Sequence, residues 1–330
     1  MKIDRRSFIV RTSSLMLGTA LASRTAFAQS ATYPASPVRV IIPYPPGAAT
    51  DALGRMAADQ WSKSLNQSFV VENRGGGGTM IGTRMLATAA ADGYTLGMID
   101  SAFTINPGLR GAEVPYDTLK DFQPISQIAS APFVMVVHPS VDAHDLASFI
   151  ALAKSKPGTL SYGSAGVGSG PHLAGEQLRQ HADIDILHVP YRGGGTVITD
   201  LLGGQVDFAF ATVPTLAEHI KAGSLRAIAV TTGERVNRLP DVPTFGELGY
   251  PGVDLTPLFG LIAPAGLPDD ILDTLSRIIQ ESVRSGEMHD RLTSMGFIPV
   301  GSTPTEFQQR IEAEVKKWTE IIQRGGFAEQ

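Results

Sequence analysis

The feature that most constrains the fold of this chain is a repeated order of strand, glycine-containing turn and helix. The first half holds two such units and one further strand, because β-branched runs bounded by proline or glycine predict buried strands. Their predicted bounds are strand 38–42, turn 43–50 and helix from 51, then strand 68–72, turn 73–79 and helix 80–90, then strand 94–99.

The same order returns in the second half of the chain. Its predicted bounds are strand 159–162, turn 163–170 and helix 171–179, then strand 186–190, turn 191–196 and helix 197–202, then strand 206–210. Strands and helices that alternate with short connections are typical of parallel sheets covered by helices. We therefore expect an α/β fold with two lobes, each a parallel sheet covered by helices.

The chain length of 330 residues agrees with two lobes, because single cores usually stop growing at about 250–300 residues. We place lobe 1 at residues 29–130 and 254–330, and lobe 2 at residues 131–253. The C-terminal segment 305–322 has helical spacing of apolar residues and predicts a helix that packs on one lobe. Its apolar stripe consists of Phe307, Ile311, Val315, Trp318 and Ile322.

The N-terminus has the pattern of an export signal. Arg5 and Arg6 precede Ser7-Phe8-Ile9, a mildly apolar stretch follows, and Ala26-Phe27-Ala28 forms a small-x-small cleavage site. The apolar stretch is shorter than the ~20 residues that span a bilayer. We predict a signal peptide at residues 1–28, cleavage near Ala28 and a periplasmic mature protein. The paired arginines favour twin-arginine export, and general secretion stays open as the alternative.

Charge and composition exclude several classes of protein. The first 28 residues hold five basic residues and one acidic residue, so the remaining chain has a formal charge of −9. Nucleic-acid binding needs a basic surface and is not expected. The chain has no cysteine, and it contains neither a P-loop nor a G-x-G-x-x-G motif. We therefore expect no cofactor, no metal and no nucleotide ligand.

Glycine turns that lead into helices favour anion binding. The first N–H groups of a helix have no partner within it and lie at the positive end of its dipole. Glycine permits the positive φ values and the close backbone approach that an anion cradle requires. The alternative is that each glycine only serves a tight turn.

Six segments in this order resemble the Bug family, the solute receptors of tripartite tricarboxylate transporters. The resemblance spans nearly the whole chain after residue 28. The segments are Tyr44-Pro45-Pro46-Gly47-Ala48-Ala49-Thr50-Asp51, Glu72-Asn73-Arg74 with Gly75 to Gly78, Gly163-Ser164-Ala165-Gly166 with His172-Leu173-Ala174-Gly175-Glu176, Pro190-Tyr191-Arg192-Gly193-Gly194, Leu202-Gly203-Gly204-Gln205-Val206-Asp207, and Leu239-Pro240-Asp241-Val242-Pro243-Thr244.

The resemblance implies a two-lobed Venus-flytrap fold of the type II periplasmic binding class, without catalysis. It implies that the first two glycine turns pinch a ligand carboxylate and that turns of the second lobe contact the rest of the ligand. The ligand-binding positions carried over are Tyr44, Ala48, Thr50, Gly76, Gly77, Thr79, Ser164, Ser169, His172, Tyr191 and Gly194. Members of the family usually have Gly-Gly where this chain has Gly47-Ala48, a difference that bears on the identity of the ligand.

Arg74 and Arg192 occupy equivalent places, each shortly after a predicted strand and before a run of glycines, four after Arg74 and three after Arg192. Arginine binds carboxylates through two parallel hydrogen bonds, so one arginine in each lobe would suit a ligand with two carboxylates. For Arg74 we favour a structural salt bridge, and we retain Arg192 as a ligand-binding candidate. His172 could instead hold its own turn, and Ser169 could cap the following helix.

The function expected from these observations is capture of a small carboxylate for delivery to membrane transporter subunits. Di- and tricarboxylates, acidic amino acids and aromatic carboxylates, including aromatic dicarboxylates, are the ligand candidates, and we expect a monomer. A receptor that presents its ligand to a sensor kinase is the first alternative. A periplasmic hydrolase is the second and less favoured one, because the chain lacks the G-x-S-x-G and H-E-x-x-H motifs.

Overall fold

The computed structural model describes residues 33–325, and the predicted signal peptide at residues 1–28 lies outside this range. No helix within the described range is long and apolar enough to span a membrane.

The strands form two separate sheets. In chain order the strands are β1 (Val38–Ile42), β2 (Phe69–Asn73), β3 (Thr95–Asp100), β4 (Phe122–Ser130), β5 (Phe133–Val137), β6 (Ser161–Ser164), β7 (Leu187–Pro190), β8 (Phe208–Thr212), β9 (Arg226–Val230), β10 (Leu258–Pro264) and β11 (Ile298–Pro299). The first sheet has the order β11-β4-β10-β3-β1-β2, and the second has the order β7-β6-β8-β5-β9. We call each sheet with its helices a lobe.

The prediction of purely parallel sheets is wrong in one respect, because both sheets are mixed. In the first sheet β1 pairs in parallel with β2 and β3, whereas β10 runs antiparallel to β3 and β4. In the second sheet β6 pairs in parallel with β7 and β8, whereas β5 runs antiparallel to β8 and β9. The antiparallel strands β5 and β10 are those that the chain enters directly after it crosses from the other lobe.

Helices pack against both faces of the second sheet, and other helices pack against the first sheet. They are α1 (Ala49–Leu65), α2 (Met80–Ala87), α3 (Ala102–Arg110), α4 (Leu146–Ser155), α5 (Gly170–Ala182), α6 (Gly194–Leu202), α7 (Val213–Lys221), α8 (Asp269–Arg284), α9 (Glu287–Met295) and α10 (Pro304–Gly325), with a short 3₁₀ turn at Gly111–Glu113.

Strand β5 shows how one strand supplies two apolar cores. Met135 and Val137 belong to a cluster with residues of α4 and α5, whereas Val134 and Val136 belong to a cluster with residues of α6 and α7. Successive side chains of a strand point to opposite faces, so a strand covered on both faces is apolar throughout.

The predicted C-terminal helix is confirmed as α10, with Phe307, Ile311, Trp318 and Ile322 buried. Phe307 lies against β10 so closely that a Cβ at Gly260 would be 2.2 Å from its ring. Trp318 belongs to an apolar cluster that joins α3 of the first lobe to Phe133 and Leu173 of the second.

The lobes are joined by two neighbouring connections. The chain leaves β4 and enters β5 through residues 131 and 132, and it returns to β10 through residues 231–257. The N–H of Ala131 donates to the carbonyl of Pro257 at 3.3 Å, and the N–H of Thr231 donates to the carbonyl of Phe133, directly after the first connection, at 3.0 Å. The two connections therefore support each other beside the gap between the sheets.

Candidate functional site

A cavity lies between the two lobes, at the ends of β3 and β8. The volume of this cavity that the centres of water molecules can occupy is about 70 Å³. This is enough for several waters or a small organic molecule. Its lining residues are Tyr44, Ala48, Ala49, Thr50, Asp100, Ser101, Phe133, Ala165, Gly170, Pro171, Gly194, Val197, Ile198, Phe210, Ala211, Thr212, Thr215, Pro257 and Phe259.

Five helices begin at this cavity. Ala48 to Thr50 start α1, Ser101 precedes α3, Gly170 and Pro171 start α5, Gly194 starts α6, and Thr212 precedes α7. Each helix start presents N–H groups without intrahelical partners and the positive end of a dipole. The arrangement stabilises negative charge in the cavity from both lobes without a basic side chain among the lining residues.

The first-lobe wall of the cavity is polar. Oδ2 of Asp100 accepts a hydrogen bond from the hydroxyl of Thr50 at 3.4 Å, and Oδ1 accepts one from the N–H of Ala102 at 3.0 Å. The hydroxyl of Tyr44 is also hydrogen-bonded to this carboxyl group. The hydroxyl oxygen of Ser101 accepts from the N–H of Leu258 at 3.2 Å.

Burial dominates the electrostatics of this wall. It raises the pKa of the Asp100 carboxyl, and hydrogen bonds from Tyr44, Ala102 and Thr50 hold that rise back. Burial likewise raises the pKa of Tyr44 well above its usual range, and the neighbouring Asp100 charge raises it further. Both effects follow from the cost of charge in a site removed from water.

The second-lobe wall is mainly apolar. Its apolar lining residues include Phe133, Val197, Ile198, Phe210 and Ala211. Its polar groups are backbone N–H groups at helix starts and the hydroxyls of Thr212 and Thr215, whose oxygens are 2.8 Å apart. This wall therefore offers shape and a few donors, whereas the first-lobe wall offers a carboxylate and the hydroxyls bonded to it.

Glycines bring the lobes into contact beside the cavity. A Cβ at Gly78 of the first lobe would lie 2.7 Å from the carbonyl oxygen of Val167 of the second. In the reverse direction, a Cβ at Gly168 would lie 2.6 Å from Oδ1 of Asn106, and one at Gly193 would lie 3.1 Å from the ring of Pro45. The lobes are thus closed on each other in this structure, and these glycines permit the approach.

Four of the residues predicted from the sequence line the cavity: Tyr44, Ala48, Thr50 and Gly194. They come from the first turn of lobe 1 and the last glycine turn of lobe 2. The remaining eight predicted residues are close by but do not line it, and for all twelve a role in ligand binding stays a prediction.

The second glycine turn contributes to contact between the lobes. Gly76 and Gly77 have φ values of 126° and 58°, and their carbonyls accept from the N–H groups of Ile81 and Met80. Thr79 is buried at the start of α2, where its hydroxyl oxygen lies 3.4 Å from Nδ2 of Asn106. The adjacent Gly78 is the residue that contacts Val167.

Ser164, Ser169 and His172 stabilise the third glycine turn. The Ser164 hydroxyl lies 2.6 Å from Nε2 of His188 and also donates to the carbonyl of Gly166 at 3.2 Å. Ser169 caps α5 by accepting from the N–H of His172 at 3.4 Å. Nδ1 of His172 lies 3.3 Å from the N–H of Gly168, so this histidine holds its own turn.

The two histidines of this turn form a stacked pair with ring centroids 4.3 Å apart. Burial and, to a smaller extent, the nearby Arg110 charge together lower the pKa of His172 to about 4. Burial and His172 lower the pKa of His188 to about 4, against the opposing effect of Glu176. Both rings are therefore neutral at pH 7, and their faces pack against each other without a charge.

Tyr191, Arg192 and Arg74 do not line the cavity. Tyr191 donates to Asp200 at 2.8 Å, and burial together with this carboxylate raises the pKa of Tyr191 to about 12. Arg192 is exposed. Arg74 is also exposed and forms the predicted salt bridge, its Nε donating to Glu72 at 2.6 Å.

The sequence analysis missed the polar centre of the first-lobe wall. Asp100 and Ser101 directly follow the predicted third strand, which was ended at residue 99. Their signal was available, because they occupy the carboxyl end of a strand, where ligands of such sheets bind. The apolar residues Phe133 and Phe210 carried no signal, since they lie within strands and look like ordinary core.

Comparisons with known proteins agree with this architecture. The family model described as "Tripartite tricarboxylate transporter family receptor" matches residues 53–327. The protein BugT of Bordetella pertussis is 38% identical over 298 residues, which cover 89% of this chain and 91% of BugT.

Two solved structures from Rhodopseudomonas palustris are also similar. A protein with adipate has a TM-score of 0.86 at 31% identity, and the alignment covers 89% of this chain and 98% of that chain. MatC with bound malate has a TM-score of 0.84 at 27% identity, and the alignment covers 88% of this chain and 100% of that chain.

The two-lobed binding-protein fold predicted from the sequence is confirmed by these structures. Solute binding without catalysis is the property of this family and of these neighbours, so the enzyme alternative is not supported. From its fold, its cavity between two lobes and its match to the family model, this chain belongs to the tripartite tricarboxylate transporter receptor family of solute-binding proteins.

Proposed function

We propose that this protein is a periplasmic receptor that captures a small carboxylate between its lobes and delivers it to a tripartite membrane transporter. The observation that carries the proposal is the convergence of five helix starts from both lobes on one cavity whose lining contains no basic side chain. Such donors bind anions through the backbone. The adipate and malate in the two similar structures support a carboxylate ligand.

The proposal includes export and two moving lobes. The signal peptide at residues 1–28 would be removed near Ala28, leaving residues 29–130 and 254–330 as one lobe and 131–253 as the other. The two neighbouring connections at 131–132 and ahead of β10 would act as the hinge. A ligand that touches both lobes favours the closed state through its additional contacts.

The donors proposed for the carboxylate are backbone N–H groups at Ala48, Ala49, Thr50 and Gly194. The hydroxyls of Thr212 and Thr215 are hydrogen-bonded to each other, so one of the two can also donate to a ligand from the second-lobe wall. Ala49 gives a direct test, because it is the first residue of α1 and Ala48 before it is extended, with φ −83° and ψ 163°. Proline is tolerated at such a position and removes only the N–H.

We expect Ala49→Pro to weaken carboxylate binding by about ten- to a hundredfold, because a charge-assisted hydrogen bond in a desolvated site contributes about 1.5–3 kcal/mol. The measurement is titration calorimetry with the tightest ligand from a thermal-shift screen of carboxylates. Asp269→Pro is the matched control, since Asp269 begins α8 away from the cavity and also follows an extended residue. Equal affinities in wild type and Ala49→Pro would contradict helix-start recognition.

A further inference from the structure

Asp100 is the one ionisable carboxylate among the lining residues of the cavity, and no Lys, Arg or His lines the cavity in the described part of the chain. A carboxylate side chain in the lining weakens the binding of a carboxylate ligand. Two negative charges a few ångströms apart in a desolvated cavity repel each other strongly. Its presence therefore calls for an explanation beyond anion binding.

Helix capping accounts for only part of the Asp100 side chain. Oδ1 accepts from the N–H of Ala102 at the start of α3. An asparagine or serine would serve that purpose equally well without a charge. The other oxygen, Oδ2, accepts a long hydrogen bond of 3.4 Å from Thr50, and the Tyr44 hydroxyl is hydrogen-bonded to the same carboxyl group. Because both hydroxyls line the cavity together with Asp100, this part of the carboxylate faces the ligand space and not α3.

The hydroxyls around Asp100 reinforce its character as an acceptor. Thr50 and Tyr44 direct their protons towards the Asp100 carboxylate. Their oxygens can then only accept hydrogen bonds from a ligand. This end of the cavity consequently presents acceptors, whereas the helix starts of α5 and α6 at Gly170 and Gly194 present N–H donors.

We propose that Asp100 is a specificity-determining residue that accepts a hydrogen bond from the ligand, so that the preferred ligand is a carboxylate carrying an amino, amide or hydroxyl group. This inference rests on the carboxylate-receptor function proposed above and specifies the ligand class. The ligand's carboxylate lies at the helix starts, its apolar part lies against Phe133 and Phe210, and its donor group meets Asp100.

The test uses ligands that share a skeleton and differ in the donor group. The four-carbon set is succinate, malate and aspartate, and the six-carbon pair is adipate and 2-aminoadipate. Succinamide adds donors without a carboxylate. Dissociation constants are measured by calorimetry for wild type and for Asp100→Asn, which retains the Oδ1 acceptor for Ala102 and the size of the side chain.

In the wild type we expect malate or aspartate to bind at least about tenfold more tightly than succinate, and 2-aminoadipate more tightly than adipate, in any set that binds. In Asp100→Asn the ratio should fall towards one, because the plain diacid gains affinity while the donor-bearing ligand loses it. Asp145→Asn is the matched control, because Asp145 also caps a helix by accepting from a backbone N–H but does not line the cavity, and this variant should leave the ratio unchanged.

Three outcomes decide the matter. A ratio that is the same in wild type and Asp100→Asn, or a wild type that binds succinate as tightly as aspartate, overturns the role of Asp100 and leaves the carboxylate receptor intact. Binding of succinamide in preference to every carboxylate overturns the proposed function and retains donor recognition by Asp100. Failure of all these ligands to bind counts against both.

Discussion

The two walls of the cavity come from lobes of similar plan but differ in chemistry. The first-lobe wall carries Asp100 with Tyr44 and Thr50 bonded to it, whereas the second-lobe wall consists mainly of phenylalanine and β-branched side chains. In both lobes, repeated units of strand, turn and helix place backbone N–H donors at the cavity. The side chains beyond those donors then divide the work, one wall selecting polar groups and the other enclosing an apolar body.

The largest expected effect tests whether the second-lobe wall acts through packing. Phe210 is buried and stacks on Phe245 with ring centroids 5.9 Å apart. We expect Phe210→Ala to lower the free energy of unfolding by about 3–5 kcal/mol. Tyr44→Phe on the first-lobe wall keeps the ring and loses one hydrogen bond, so it should cost only about 1 kcal/mol. Urea denaturation measures both, and similar losses would erase the contrast between the walls.

A second test uses pH, because each lobe buries an ionisable group and the two groups change the stability of the protein in opposite directions as the pH falls. The lowered pKa of His172, about 4 in the folded protein against about 6.5 unfolded, contributes stability at neutral pH that is lost as the pH falls between those values. The raised pKa of Asp100 has the opposite sign, so its contribution is present at low pH and is lost as the pH rises through the folded pKa.

We expect the protonation of His172 to lower the free energy of unfolding of the protein by about 2 kcal/mol between pH 7 and pH 5. Urea denaturation at the two values of pH gives the measurement. His172→Gln removes the titrating group and should flatten this part of the profile, although Arg110, His188 and Glu176 remain around it. An unchanged slope in His172→Gln would assign the acid sensitivity to another group.

The smallest expected effect concerns contact between the lobes. At Gly168, with φ 85°, an added Cβ would meet Oδ1 of the buried Asn106 at 2.6 Å, and Nδ2 of the same side chain is held by the carbonyl of Gly78 at 2.8 Å. We therefore expect Gly168→Ala to hinder closure and weaken ligand binding about tenfold. Gly249→Ala has the same kind of backbone strain, with φ 87°, but meets nothing within 4 Å.

Calorimetry on both glycine variants separates strain from closure. Comparable losses of thermal stability with a loss of affinity only in Gly168→Ala would support the interlobe role. Full affinity in Gly168→Ala would mean that Asn106 moves aside and that the glycine serves its turn alone.

Local sequence signals predicted much of this fold. β1 was predicted with its observed bounds, because a β-branched run between prolines has few other conformations. The starts of α1 and α5 were predicted to within two residues from glycine or proline at the turns, whereas α6 begins three residues earlier than predicted, within its glycine run. The antiparallel insertion of β10 between β3 and β4 was missed, since pairing between distant strands leaves no local pattern.

The cavity was harder to predict than the fold. Thr50 and Gly194 were found because turns before helices mark the ligand-binding edge of a sheet. Phe210 could not be found, because its side chain is apolar in a strand that is apolar on both faces. The pairing of Ser164 with His188 joins residues 24 positions apart and depends on the register of β6 with β7.

The position of Trp318 has a spectroscopic consequence. The chain has two tryptophans, and Trp318 lies in the cluster that joins α3 to Phe133 and Leu173 across the lobes. Trp61 lies within the first lobe, edge-on to Phe69 at 5.8 Å. Separation of the lobes would admit water to the cluster around Trp318 but leave the surroundings of Trp61 unchanged. The protein thus carries an intrinsic fluorophore for domain motion together with an internal reference.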